Sequence, residues 1–395
     1  MVWCVRLRAA VNFIVIISIN ILQIASASND KLVSLSNTDL QAALTFGPWP
    51  PSISRDASNR VSGQAQAIAL GERLFFNPRL SGGGQLLCAS CHAPWRNGTD
   101  GRARAFGIAP LERNTPALVN VRLHRWFGWD GANDTLWGQS IRPLLNPREM
   151  NSSASKIAAM VRQDPDILGS YKQVFGTSPS TVDEAVLVDL AKALAAYQET
   201  LLTGRTLFDE FRDAIARGDI REARRYPVEA QRGLAIFLGK GRCASCHAGP
   251  NFSDDGFYSS GVVNRLAGEG MDAGRQEGKR KWQGSPYTRF GSFSDDRRSV
   301  SRRAGRDTED VANSSNAAGR FRTPGLRNVA LTAPYLHDGS LATLCEVVRQ
   351  HAAAAAQRGG VTVQGLSAAE RHDTVMFLET LTSDAPKGWQ RQGCR

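Results

Sequence analysis

Cys88-Ala89-Ser90-Cys91-His92 and Cys243-Ala244-Ser245-Cys246-His247 are the same pentapeptide, placed once in each half of the chain. C-x-x-C-H is the attachment signature of c-type haem. Two thiols form thioethers with the porphyrin vinyls, and the adjacent imidazole becomes the proximal iron ligand. A zinc knuckle needs four ligands per site, and neither copy has a second Cys/His pair nearby. A redox C-x-x-C has no need of His directly after the second Cys, twice. The pattern predicts two covalently bound haems.

A chain of 395 residues is long enough for two core-bearing domains, one per motif. The first 27 residues read as a secretory signal: Arg6 and Arg8, an apolar run from Val11 to Ile24, then Ala25-Ser26-Ala27. The run is short for a membrane span, which needs about 20 residues. Export to the periplasm agrees with c-type haem, which is attached outside the bacterial cytoplasm. Of seven Cys, Cys4 leaves with the signal and four are spent on haem. Cys345 and Cys394 remain, and in an oxidising compartment they are expected to form a disulfide, the alternative being two free buried thiols. The net charge of +11 falls to +9 without Arg6 and Arg8, a surface that favours an acidic protein partner. Nucleic acid is not expected, because the basic residues are scattered or loop-bound.

The chain reads as mainly α, two cytochrome c-like haem domains with long irregular loops. Ser28 to Ser62 is polar and is expected to be an extended arm. Helices are expected over 61–76, 155–163, 181–202 (capping box Thr181/Glu184), 207–217, from Pro227 to the second motif, 344–355 (Thr343/Glu346) and 367–381 (Ser367/Glu370). The boundary between an N-terminal domain, 28–226, and a C-terminal domain, 227–395, is placed at the basic connector Arg221 to Arg225. The stretch 276–318, rich in Gly, Ser, Asp and Arg, reads as an inserted basic surface loop. Only the haem motif repeats clearly.

The sixth coordination position of each iron decides function: a filled site transfers electrons, an open one activates small molecules. His124, His337, His351 and His372 remain beside the two proximal imidazoles, and periodicity does not choose among them.

Three long segments do. Leu70 to Pro94, Phe127 to Met150 and Phe321 to Gln350 resemble the bacterial dihaem cytochrome c peroxidase/MauG family over most of the mature chain, outside the arm and the 276–318 loop. The resemblance implies a tryptophan between the haems and a calcium ion nearby. Trp129 matches that tryptophan; Trp126 and Trp137 are expected to be core aromatics. Glu149, Gln139 and Pro143 match the distal pocket of the first haem. Glu149 is then an acid–base residue, Gln139 a hydrogen-bond partner for bound oxygen, and Pro143 a steric wall. Peroxidases of the family carry a removable His soon after the first motif. Here that region is Ala105-Phe106-Gly107-Ile108, so the first haem is expected to be open at rest. Met150 is the fallback ligand if the protein only transfers electrons.

At the second haem the family places its distal ligand fourteen residues beyond the His of the Pro334-to-Gly339 motif, as Met in peroxidases and Tyr in MauG. This chain has His351 there, giving His247/His351 ligation and a lowered potential. His337 is expected to pack or hydrogen-bond, and His124 and His372 to have no ligand role. Asn114, Thr332 and Pro334 match the calcium positions. The resemblance thus implies an enzyme that uses hydrogen peroxide to reach an oxidised state shared by both haems. It would then oxidise a tryptophan of a partner protein to kynurenine. The branch paired with the copper-binding protein MbnP is the nearer resemblance, and the basic loop, with Arg302 and Arg303, is a candidate docking surface. The alternatives are a peroxidase fed by a small redox protein and a non-enzymatic electron carrier.

Overall fold

The structure, a computed structural model, describes residues 32, 35–259, 270–296, 317–358, 365–384 and 386. The signal segment, Cys394, Arg302 and Arg303 lie outside the described residues, so the expected disulfide and the docking role of those arginines do too. Cys345 is exposed.

The principal helices are α1 (Asn37–Leu44), α2 (Ala65–Phe75), α3 (Leu136–Leu145), α4 (Ala154–Gln163), α5 (Pro165–Phe175), α6 (Asp183–Gln198), α7 (Leu207–Arg217), α8 (Val228–Leu238), α9 (Arg275–Gln283), α10 (Leu344–Arg358) and α11 (Ala368–Glu379). Two short strands, β1 (Phe257–Tyr258) and β2 (Phe321–Arg322), form one antiparallel ladder that pairs Tyr258 with Phe321. Among the described residues no helix is long and apolar enough to cross a membrane.

Two apolar cores organise the chain. The first gathers Leu70, Leu74 and Phe75 of α2, Trp137 and Ile141 of α3, and Leu187, Leu190 and Leu194 of α6. The second gathers Phe208 and Phe211 of α7, Leu234 and Phe237 of α8, and Phe377 and Leu378 of α11. Each is built on one close helix crossing. A side chain at Gly71 of α2 would run into the backbone carbonyl of Ala193 in α6, and one at Gly233 of α8 into that of Asp373 in α11. Only glycine admits such an approach. Gly233→Ala is expected to cost about 1–3 kcal/mol through overpacking, read as a lower thermal midpoint of the haem-loaded protein.

Several expectations need correction. The arm is not simply extended: Ser36 and Asp39 close a capping box on α1, and Ala43 and Phe46 enter the second core, where Phe46 stacks on Phe252 at 4.8 Å. Since Phe208, Phe211 and Tyr226 join that core as well, we propose the domain change between Leu201 and Thr206 rather than at 226. The expected box at Thr181/Glu184 does not form. Helix α6 starts at Asp183 after Val182, whose N–H is taken by Ser180 Oγ at 3.0 Å. The described part of the insertion is not a surface loop either. It contains all of α9 beyond its first residue, buries Trp282, and runs on to Asp295, which pairs with the buried Lys192 of α6 at 2.6 Å.

A second internal repeat also emerges. In one ungapped register Thr115-Pro116 matches Thr323-Pro324, Asn120-Val121 matches Asn328-Val329, Asp130-Gly131 matches Asp338-Gly339, and Thr135-Leu136 matches Thr343-Leu344. The backbones agree. Asn120 and Asn328 are both left-handed (φ 62° and 59°), as are Gly128 and Leu336 (75° and 72°) and Gly131 and Gly339 (both 63°). Bridges Phe127–Asn133 and Tyr335–Leu341 occupy the same register, and Thr135 and Thr343 cap α3 and α10. Segments 115–136 and 323–344 thus share one backbone pattern, each leading into a helix.

Candidate haem sites

Each C-A-S-C-H segment forms a helical turn that turns its His inward. His92 N–H donates to Cys88 O and His247 N–H to Cys243 O, both at 2.9 Å. His92 Nδ1 donates to Gly98 O at 2.9 Å and His247 Nδ1 to Phe252 O at 3.0 Å. A carbonyl only accepts, so Nδ1 carries the proton and Nε2 keeps its lone pair, as a metal-ligating imidazole requires. Burial lowers the pKa of both rings, that of His247 to about 4, with the charge of His351 adding to the effect. Burial also pushes the thiols up, Cys88 and Cys243 to about 12 and Cys91 to about 11.

Around His247 lies a cavity of about 500 Å³ bordered by Cys243, Cys246, Leu344, Val348 and His351. Volume, attachment thiols and two imidazoles in the lining fit a covalent porphyrin. His351 sits on α10 with Nδ1 donating to Val347 O at 3.0 Å, so its Nε2 too has the ligand tautomer. In the register of the repeat, the counterpart of His351 is Pro143 on α3. The same helix position therefore carries an imidazole on α10 and a side chain without a ligating atom on α3.

The surroundings of Pro143 differ accordingly. Gln139 lies one turn earlier on the same face of α3, and its Oε1 accepts from Asn133 Nδ2 at 2.8 Å. Glu149 Oε1 accepts from Asn146 Nδ2 at 2.7 Å, and burial raises its carboxyl above the usual range. The Ala105–Ile108 segment crosses between Cys91 and Glu149: Phe106 O lies 3.8 Å from Cys91 Sγ, and Ile108 N–H donates to Glu149 O at 3.0 Å. Met150 belongs to the first apolar core.

Trp129, half-buried, borders the His247 cavity and donates Nε1–H to Asn114 O at 2.9 Å. Asn114, Thr332 and Pro334 border the same cavity. No cluster of three His, Cys, Asp or Glu that could hold a metal ion exists among the described residues, so a cation here would depend on neutral oxygens. His337, the repeat counterpart of Trp129, is buried and stacks on Phe321 at 3.6 Å. Trp137 is fully buried, whereas Trp126 packs edge-on to Trp282 at 5.5 Å. His372 is exposed on α11.

Residues that hold the Trp129 loop were not anticipated. Arg113 bridges Asp272 (2.8 Å) and Asp130 (2.7 Å). Arg275 of α9 lies 4.1 Å from the ring centres of both Trp126 and Phe257 and donates to Gly131 O at 2.6 Å. His124, for which no ligand role is expected, borders the cavity and meets Asp255 at 2.6 Å. The contacts Arg113–Asp272, Arg275–Gly131 and His124–Asp255 each span more than a hundred positions, and no local pattern announces them; only the internal repeat was open to inspection in the sequence.

Comparison with known proteins agrees with this geometry. The family model for di-haem cytochrome c peroxidase matches residues 65–216. The methylamine utilization protein MauG of Methylorubrum extorquens is 32% identical, over 88% of this chain and 87% of its own. The cytochrome-c peroxidase IdrP1 of Denitromonas iodatirespirans is also 32% identical, over 86% of this chain and 87% of its own. Among solved structures, a MauG-like protein associated with microbial copper homeostasis superposes with a TM-score of 0.62 at 28% identity, covering 89% of this chain and 96% of that one. The chain belongs to the dihaem cytochrome c peroxidase/MauG family of peroxide-dependent oxidoreductases, whose fold carries two haems c.

Proposed function

We propose that this protein is a periplasmic enzyme that uses hydrogen peroxide to oxidise a residue, a tryptophan converted to kynurenine, of a partner protein. The observation carrying the reading is the asymmetry within the repeat, Pro143 against His351. Bound haem supplies the redox-active iron that accepts peroxide and holds oxidising equivalents. Pro143 keeps the distal side of the first site free of a protein ligand. Glu149 takes a proton from the entering peroxide and returns it to the departing oxygen, while Gln139 orients the oxygen that stays. His247 and His351 would both ligate the iron of the second haem, which would then supply electron storage and transfer rather than peroxide binding. Trp129, whose Nε1–H donates to Asn114 O, would couple the two sites. Asn114, Thr332 and Pro334 would supply oxygens to one calcium ion beside it.

A reaction shared by two sites suits a substrate too large for a pocket. The relative associated with copper homeostasis favours a copper-binding partner of the MbnP kind. Incubating the haem-loaded enzyme with such a partner and peroxide should extinguish tryptophan fluorescence in the partner and leave an oxidised tryptophan in its peptide map. The similarity to cytochrome-c peroxidase IdrP1 supports a second reading. An unmodified partner, together with steady peroxide turnover driven by a reduced small cytochrome or cupredoxin, would establish that one instead.

A further inference from the structure

Three side chains with an oxidisable ring and an N–H or O–H border the His247 cavity: Trp129, Tyr258 and Tyr335. Their hydrogen-bond acceptors separate them. Trp129 donates to Asn114 O and Tyr335 to Val329 O at 3.1 Å, and a backbone carbonyl does not take up a proton in water. Tyr258 donates its hydroxyl to Asp254 Oδ2 at 2.7 Å, and a carboxylate does. Trp129 and Tyr335 are half-buried, whereas Tyr258 is 41% exposed. It thus reaches from the cavity to solvent.

Its placement is built rather than incidental. The Tyr258 ring lies across Gly256, where any side chain would collide with it. Ladder pairing fixes Tyr258 opposite Phe321, and its hydroxyl also lies beside Cys246, one of the two attachment thiols. Asp254 is anchored in turn, its backbone N–H donating to Cys246 O at 2.9 Å. The hydrogen bond to Asp254, followed by burial, keeps the phenol protonated above its ordinary range.

We propose that Tyr258 is the relay through which oxidising equivalents leave the second haem site for a partner side chain at the surface. This rests on the peroxide-driven function proposed above. Tyr258 gives one electron to the oxidised site as its O–H bond breaks and the proton passes to Asp254 Oδ2, leaving a neutral tyrosyl radical. One electron from the partner's aromatic side chain then restores the phenolate oxygen, which takes the proton back from Asp254. Two such transfers carry both equivalents of one peroxide. Asp254 is the positioning residue that accepts the proton.

The test uses the diferric, haem-loaded protein mixed with one equivalent of peroxide without partner, followed optically and by freeze-quench electron paramagnetic resonance. Wild type, Tyr258→Phe and Asp254→Asn are compared, and spin-trap adducts are located by peptide mapping. The expected result is a tyrosyl signal and a trap adduct at Tyr258 in wild type, lost in Tyr258→Phe and diminished in Asp254→Asn. The optical reaction with peroxide should persist in all three. An unchanged signal in Tyr258→Phe, or an optical reaction in wild type with no tyrosyl signal, overturns the relay and leaves the proposed function standing. Failure of the diferric wild type to react at all overturns both.

Discussion

Glu149→Gln is expected to slow the reaction with peroxide by about 10²–10⁴-fold while both haems stay attached and their resting spectra stay unchanged. Glutamine keeps the size of the side chain and can still accept the Asn146 Nδ2 hydrogen bond, so the loop should hold its shape. What it loses is the capacity to take a proton from one peroxide oxygen and give it to the other. Stopped-flow mixing reads the effect directly. The pH dependence follows from burial. The Glu149 carboxyl is raised above the ordinary carboxylate range, and the form that accepts a proton is the ionised one. The rate should therefore fall as pH drops through a pKa above that of a free glutamate, and Glu149→Gln should flatten that limb.

His351→Met should leave the first site reactive and disable the second as a partner in storage. A thioether donates less electron density than an imidazole, so the potential of the second haem should rise by on the order of 0.1–0.3 V, within the ~0.8 V that axial ligands span. Spectroelectrochemistry measures the shift. A second haem that is harder to oxidise no longer shares equivalents with the first, so the state produced by peroxide in the diferric variant should decay much faster. Unchanged potential and lifetime would remove His351 from the ligand set.

Much of this was legible from local chemistry. The haem motifs, the Thr343/Glu346 and Ser367/Glu370 caps and the amphipathic helices α2, α4 and α7 are short-range signals, and the structure carries each of them. Helix α5 was missed although Asp164-Pro165 is an N-cap followed by proline at the first helical position. Helix α3 was hidden because Gly138 and Pro143 depress helix propensity; tertiary packing of Trp137 and Ile141 outweighs it. The second repeat keeps only scattered identities, those that set turns and caps, so it reads weakly as sequence and plainly as backbone. The clamp on the Trp129 loop could not be read at all. Arg113, Asp130, Asp272 and Arg275 are four ordinary charged residues until the fold brings them together.

An open first site beside a second closed by His351 would make the oxidised protein competent without prior reduction. Stoichiometric hydrogen peroxide added to the fully diferric enzyme, with visible and near-infrared spectra recorded over minutes, tests it most directly. The account predicts immediate reaction and a long-lived oxidised spectrum with a near-infrared band shared by both haems. No reaction until one haem has first been reduced would contradict it.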